Sequence, residues 1–367
     1  MKRLLILTIL VFLAGLSSGQ GLTINPGVDT LDTDAQKALS FYRQYLNEFK
    51  GQKIPEDFNK YWSQKDCREY KIPDPAIYSI NSDFPIYTST QVRTIMSIKP
   101  QREYVHIKTF FGWVNNNNVT ALGISNHYIG IDRSGKPVFL NPLELNTKNW
   151  SSTTVSNVTF CHPPSHTFNK ASADNLIRSI RRLEKEWDLK PISIQYYFAG
   201  TREEIDFIRG LNFSIMAGNR SKASGMADEH NNIVYSTGLG ENYFHEVVHI
   251  YLNRLYPGSP LKEGLAVFYG GSMGKGLDWH VNRVKKYLVD HPEIDLNKPD
   301  DFWYMDNLTN PESTIMGTLC SLAHKKDGIT GLKKIMEYTT MEEIFSKEFG
   351  VKRDQWNGFL RQVFKDN

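Results

Sequence analysis

The chain reads Phe244-His245-Glu246-Val247-Val248-His249, two imidazoles four residues apart with a carboxylate between them. Val247, Val248, Tyr251, Leu252 and Leu255 give this stretch an apolar face at helical spacing. On a helix, residues four apart project the same way, so both imidazoles can reach one ion. Zinc accepts His nitrogen at about 2.0–2.1 Å and, in a catalytic site, takes three protein ligands and keeps a water position open. Glu246 falls beside that position. There it can take a proton from zinc-bound water attacking a carbonyl carbon and later pass it to the leaving amine.

A third ligand is needed, and the sequence offers Glu263. The first helix ends near Leu255 at Tyr256-Pro257-Gly258, and Ser259-Pro260 reads as the start of a second, with Ser as cap and Pro in the first turn. Glu263 then stands in that first turn, fourteen residues after His249. Two helices joined by a tight turn run back past each other, so this carboxylate can swing over the His pair. An isolated H-E-x-x-H also arises as two satisfied helix histidines and a solvated glutamate. The turn and the carboxylate of the second helix weigh toward a single Zn2+ site at His245, His249 and Glu263.

His245-Glu246-x-x-His249 followed by Lys262-Glu263-Gly264-Leu265-Ala266-Val267-Phe268 resembles the gluzincin zinc metallopeptidases, closest to their secreted, peptidase MA-like members. The resemblance covers about residues 159–364 and implies that the Glu before Gly-Leu-Ala, Glu263, is the third zinc ligand. It implies a peptide or protein substrate and a hydrolase acting on peptide bonds. Two features depart from the family. Ser313-Thr314-Ile315-Met316-Gly317 lacks the tyrosine that steadies the oxyanion in many relatives. Tyr304, Tyr269, His280 and His230 are the alternative donors. The aminopeptidase signature is also absent, which favours an endopeptidase or an unassigned specificity. The strand expected at Asn232–Ser236 offers an edge on which an extended peptide could pair.

The elements that must position this site fall into two parts. Thr33–Phe49 repeats apolar residues at helical spacing, and Pro55–Trp62 reads as a second short helix. Residues 71–90 read as loop with short extended pieces. Strand-like runs follow at Tyr104–Trp113, Val119–Ile131 and Pro137–Leu140, and residues 141–157 look like a boundary. Beyond it come a strand start at Thr159-Phe160, a helix over Lys170–Trp187, a strand at Ile192–Phe198 and a helix at Arg202–Arg209. From Glu241 onward the pattern is mostly helical. The expected fold class is α+β, with a small α+β domain over residues 20–155 and a metallopeptidase-like domain over 156–367 with a mostly helical end. By order of elements the first domain resembles an NTF2-like cone.

Lys2-Arg3, an apolar run to Leu13 and small residues at Ser17 and Gly19 read as a secretory signal over residues 1–19, cut near Gly19-Gln20. The protein is therefore expected to be exported, to a periplasm or out of the cell, with no transmembrane segment after cleavage. Lys plus Arg is 43 against 40 for Asp plus Glu, a net charge of +3, which predicts no nucleic-acid partner. Three cysteines permit one bridge at most, Cys67 with Cys161 among the pairings. Two further functions compete with the peptidase. In one, the same fold binds zinc and a partner with little or no turnover. In the other, zinc is a structural staple, although such sites are normally closed by four ligands.

Overall fold

The computed structural model of the chain describes residues 22–49, 54–78, 86–88, 90–116, 118–215, 224–298, 305–306 and 308–366. Residues 1–21, which hold the expected secretion signal, lie outside them. The fold is α+β, with two mixed sheets followed by a largely helical C-terminal portion. Its contacts divide into two units: Lys2–Trp150 with Thr201–Asn219, and Ser151–Gly200 with Arg220–Asn367.

In the first unit, β1 (Leu22–Ile24), β2 (Val92–Pro100), β3 (Val105–Asn115), β4 (Asn118–Ile131) and β5 (Pro137–Leu140) hydrogen-bond in that order. β1 and β2 run parallel; the remaining pairs are antiparallel. β9 (Leu211–Ser214) returns from later in the chain to pair with β4 at Gly123–Ser125. Helix α1 (Thr33–Glu48), capped by Asp32, contributes buried Tyr42 and Tyr45 to the same core as Ile107, Phe111 and Phe139. The short helix expected at Pro55–Trp62 forms instead as α2 (Gln64–Glu69), where Ser63 supplies the cap that the earlier segment lacks. β2 has no counterpart in the sequence reading. The boundary at 141–157 holds helix α3 (Pro142–Asn146) and strand β6 (Ser151–Val155).

The second unit orders its sheet as β10 (Ser224–Asp228), β11 (Ile233–Thr237), β8 (Ile194–Ala199), β7 (Val158–His162) and β6. β7, β8 and β11 are parallel to one another, and the two outer strands are antiparallel to their neighbours. Sequence periodicity puts a free edge at Asn232–Ser236. The structure places β11 between β8 and β10, so that edge belongs to β10. Helix α4 (Lys170–Trp187) buries Ala173, Leu176, Ile177, Ile180, Leu183 and Trp187, the face its 3.6-residue period predicts. Each of its larger apolar side chains contributes about 1.5–3 kcal/mol on burial. Helix α5 (Arg202–Ile208) belongs to the first unit and leads into β9.

The helical end packs on this core through α6 (Phe244–Leu252), α7 (Lys262–Gly270), α8 (Leu277–Asp290), α9 (Pro311–Met336) and α10 (Trp356–Asp366). None of the helices among the described residues is long and apolar enough to cross a membrane. Cys67, Cys161 and Cys320 are all free thiols, Cys320 buried.

The first unit carries a buried carboxylate whose partners are specific. Asp74 accepts hydrogen bonds from the Tyr45 and Tyr87 hydroxyls, each at 2.8 Å, and from the Ala76 amide at 3.0 Å. Burial pushes its pKa up, but His127 and the two tyrosines more than offset this and hold it below the usual carboxylate value. The stabilisation is therefore complete above the unfolded-state pKa of about 3.9 and is lost as pH falls through the lower folded-state value. Asp74→Asn is expected to cost about 1–3 kcal/mol at pH 7. In thermal melts, the gap between wild type and variant should close below about pH 4, as the wild-type carboxyl takes its own proton.

Candidate metal centre

Helix α6 presents both histidines on its buried face, each 6% exposed, as the i, i+4 spacing predicts. After Leu252 the chain tightens into a 3-10 turn over Asn253–Leu255 and reverses at Pro257-Gly258. Helix α7 begins at Lys262 rather than at Ser259-Pro260, and Ser259 caps only the Leu261 amide, at 3.3 Å. Glu263 still falls in the first turn and reaches the histidines.

Three distances define the cluster. The two Nε2 atoms are 3.2 Å apart, His245 Nε2 is 3.5 Å from Glu263 Oε2, and His249 Nε2 is 3.4 Å from Glu263 Oε1. A tetrahedral ion with arms of about 2.0–2.1 Å separates its ligands by about 3.3–3.4 Å. The residues therefore fit a zinc-sized ion in both chemistry and spacing. The Glu263 side chain is 60% exposed, so the cluster opens to solvent on that flank.

The outer atoms of both rings are fixed. His245 Nδ1–H donates to the Gly271 carbonyl at 2.6 Å, which leaves the Nε2 lone pair facing inward. His249 Nδ1 lies 3.3 Å from Asn253 Oδ1, and the Asn253 amide nitrogen donates to Glu229 Oε1 at 2.7 Å. Burial alone would lower the pKa of His245, but the Glu263 and Glu246 carboxylates and the Gly271 carbonyl raise it to about 9. Burial would likewise raise Glu263, and the two imidazoles instead pull it down to about 2, with solvent screening part of that pull.

Glycines permit the close approaches around these groups. A Cβ on Gly270 would lie 2.5 Å from the His245 amide nitrogen, and one on Gly264 would lie 2.5 Å from the Met316 carbonyl carbon. Gly271 adopts φ +67°, and a Cβ there would meet the Lys275 carbonyl at 2.0 Å. Over the other side of the site, a Cβ on Gly225 of β10 would come within 2.2 Å of the Tyr243 ring and 2.6 Å of Glu246 Oε1. Glu246 is itself 6% exposed.

Several supports have no part in the sequence reading. Tyr243 stacks on His245 with ring centroids 5.7 Å apart and 15° between planes. Its amide donates to the Tyr196 hydroxyl at 3.0 Å, and that hydroxyl donates to the Gly240 carbonyl at 2.9 Å. Glu241, 2% exposed, binds His166 Nε2 and the Asn169 amide, tying the lead-in to α6 to the start of α4. Only Asn253 carries a sequence signal, because it lies four residues after His249 on the same face.

The other proposed donors lie as follows. His280 is 1% exposed, with Nδ1 3.1 Å from the Thr309 hydroxyl and Nε2 donating to the Ser272 carbonyl at 3.0 Å. The Tyr269 hydroxyl accepts from Trp187 Nε1 at 2.8 Å. His230 is exposed at the β10–β11 turn. Tyr304 lies outside the described residues, and Ser313–Gly317 forms the first turns of α9.

Gly225→Ala is expected to destabilise the protein by about 1–3 kcal/mol, because the buried Tyr243 ring and Glu246 side chain would both have to shift to admit the Cβ. Gly358→Ala is the control. Nothing lies within 4 Å of a Cβ at that helical position, so it should gain up to about 1 kcal/mol. Paired thermal melts read both changes.

No protein-family model, no curated protein and no solved structure matches the chain. His245, His249 and Glu263 form a group that can hold a metal ion.

Proposed function

We propose that this chain is an exported zinc-dependent hydrolase of peptide bonds, acting as an endopeptidase, with Glu246 as its general base and acid. The observation that carries this reading is the His245–His249–Glu263 triangle, whose edges of 3.2–3.5 Å suit a tetrahedral ion while Glu246 follows the first ligand directly. The bound ion would supply Lewis acidity, lowering the pKa of water and polarising a carbonyl.

The chain's own residues supply the rest. His245 and His249 would hold the ion through nitrogens whose opposite ring atoms have hydrogen-bonding partners, so little reorganisation would accompany reaction. Glu246 takes the proton of the attacking water on its carboxylate and returns it to the leaving amine nitrogen. The backbone of β10 passes directly over that carboxylate at Gly225, which shields it from bulk water. β10 pairs with β11 on one side and, among the described residues, has no strand on the other. An extended peptide can hydrogen-bond along that outer edge and bring its scissile carbonyl to the site. Export is the reading of the basic and apolar residues Lys2 to Leu13, with processing near Gly19-Gln20.

Elemental analysis combined with a quenched-peptide library, on wild type and Glu246→Gln, tests the assignment. One zinc per chain in both proteins is expected, with hydrolysis reduced by about 10²–10⁴-fold in the variant. Removing the metal with a chelator should abolish turnover, and added zinc should restore it. Zinc without hydrolysis in the wild type would favour a zinc-containing binding module instead. A wild type that takes up no zinc would overturn the site.

A further inference from the structure

The β10–β11 turn is built with more order than a surface hairpin needs. The Asp228 carboxylate accepts from the His230 amide at 3.2 Å, the Asn231 amide at 3.1 Å and the Asn231 side chain at 2.7 Å. This holds Glu229 at a fixed place in the turn. Two side chains then tie the turn to the end of the metal helix. Asn253 Nδ2 donates to Glu229 Oε1 at 2.7 Å, and Arg254 donates to Asn232 Oδ1 at 2.8 Å while its Nε–H bonds the Ile250 carbonyl.

Asn253 is 8% exposed and lies against His249, with its Oδ1 and Nδ2 3.3 and 3.1 Å from the same ring nitrogen. Distance to His249 alone therefore does not orient the amide. Glu229 does, because an ionised carboxylate only accepts hydrogen bonds. The amide nitrogen therefore faces Glu229, which leaves Oδ1, 3.3 Å from Nδ1, as the acceptor for the proton that His249 must carry on Nδ1 when its Nε2 holds an ion. We propose that Asn253 and Glu229 are positioning residues of the metal centre, which together hold His249 in the tautomer that turns its Nε2 lone pair toward the ion. His245 needs no such relay, since a backbone carbonyl does the same work for it.

This inference rests on the metal-site reading above and adds a function for the β10–β11 turn. Its consequence is that metal affinity depends on the β10–β11 turn. Outer partners of ligating histidines typically change metal affinity by about 10–100-fold when removed.

The test uses the full chain with zinc and with cobalt, and no substrate. Zinc dissociation constants come from competition with a chromophoric chelator, and the visible absorption of the cobalt form reports ligand geometry. Asn253→Leu and Glu229→Ala should each weaken zinc binding by roughly 10–100-fold and alter the cobalt bands. Glu229→Gln, whose amide oxygen can still accept from Asn253, should recover part of that loss. Thermal melts of the metal-free proteins separate this effect from a general loss of folding. Should Asn253→Leu fail to fold, Glu229→Ala and Glu229→Gln carry the test. Zinc affinity within about twofold of wild type and unchanged cobalt bands, in a folded Glu229→Ala or Asn253→Leu, would overturn the proposal. No zinc uptake by the wild type would overturn the metal site itself, and this inference with it.

Discussion

The backbone contact of α7 with α6 sets the geometry on which the rest of the site depends. A first helix can offer two imidazoles on one face, but a third ligand from a second helix arrives only if the two approach closely. Gly270 permits that approach at the C-terminal end of α7, against the backbone of His245 itself. Gly264 permits the matching approach of the other end to Met316 in α9. Helix α7 is thus held against one neighbour at each end, which fixes where the backbone of Glu263 stands relative to the histidines. The chain then turns at Gly271, whose positive φ aims a carbonyl at the outer nitrogen of His245. One packing contact therefore supplies both one member of the candidate metal group and the tautomer of another.

Electrostatics points the same way as packing. Burial of an imidazole opposes its protonation, and His245 is deeply buried. Its pKa is nonetheless raised to about 9, because Glu263 and Glu246 make the pocket a favourable place for positive charge. The same carboxylates favour a metal cation there, and a proton and an ion would compete for the same Nε2 lone pair. Glu263 responds oppositely, held to about 2 by the imidazoles beside it. The cluster is a balanced set of charges, with one flank open to solvent at Glu263.

Much of this centre was legible in the sequence, since its key features are local. The i, i+4 spacing of His245 and His249 decides which way they point, and fourteen residues are enough for one turn and a return to Glu263. The helix over Lys170–Trp187 was legible for the same reason, because its apolar face repeats with a single period. The parts that escaped depend on contacts between distant segments. Nothing in Gly225 announces that β10 crosses over Glu246, and nothing in Tyr196 announces that its hydroxyl receives the amide of Tyr243. β2 escaped because Arg93, Ser97 and Lys99 dilute its alternation, while a bulge between Ile95 and Ser97 breaks its period. Pro55–Trp62 reads as a helix because proline is tolerated at a first helical position, yet the first good cap in that region is Ser63, and the helix begins after it.

The first unit shows how far sequence order can differ from spatial order. β4 is the longest strand of its sheet, and β5 covers only its final residues, from Tyr128 to Ile131. Its stretch from Gly123 to Ser125 would present unpaired amides and carbonyls if the unit ended at Trp150. β9 covers that stretch, and the Asn126 amide continues the pairing by donating to the Gly210 carbonyl. Helix α5 brings Arg209, fully buried, whose guanidinium bonds Asp206 and the Pro75 carbonyl inside the same unit. A buried guanidinium without those partners would be costly, so the excursion is fixed by charge as well as by backbone pairing. The chain must leave the second sheet after Ala199 and regain it by Ser224, the first residue of β10. Among the described residues, the strand that crosses Glu246 is therefore the first paired element after that excursion. Its register on β11, and with it the placing of Gly225 and Glu229, is set by the Ser224–Asp228 ladder and the Asp228 turn.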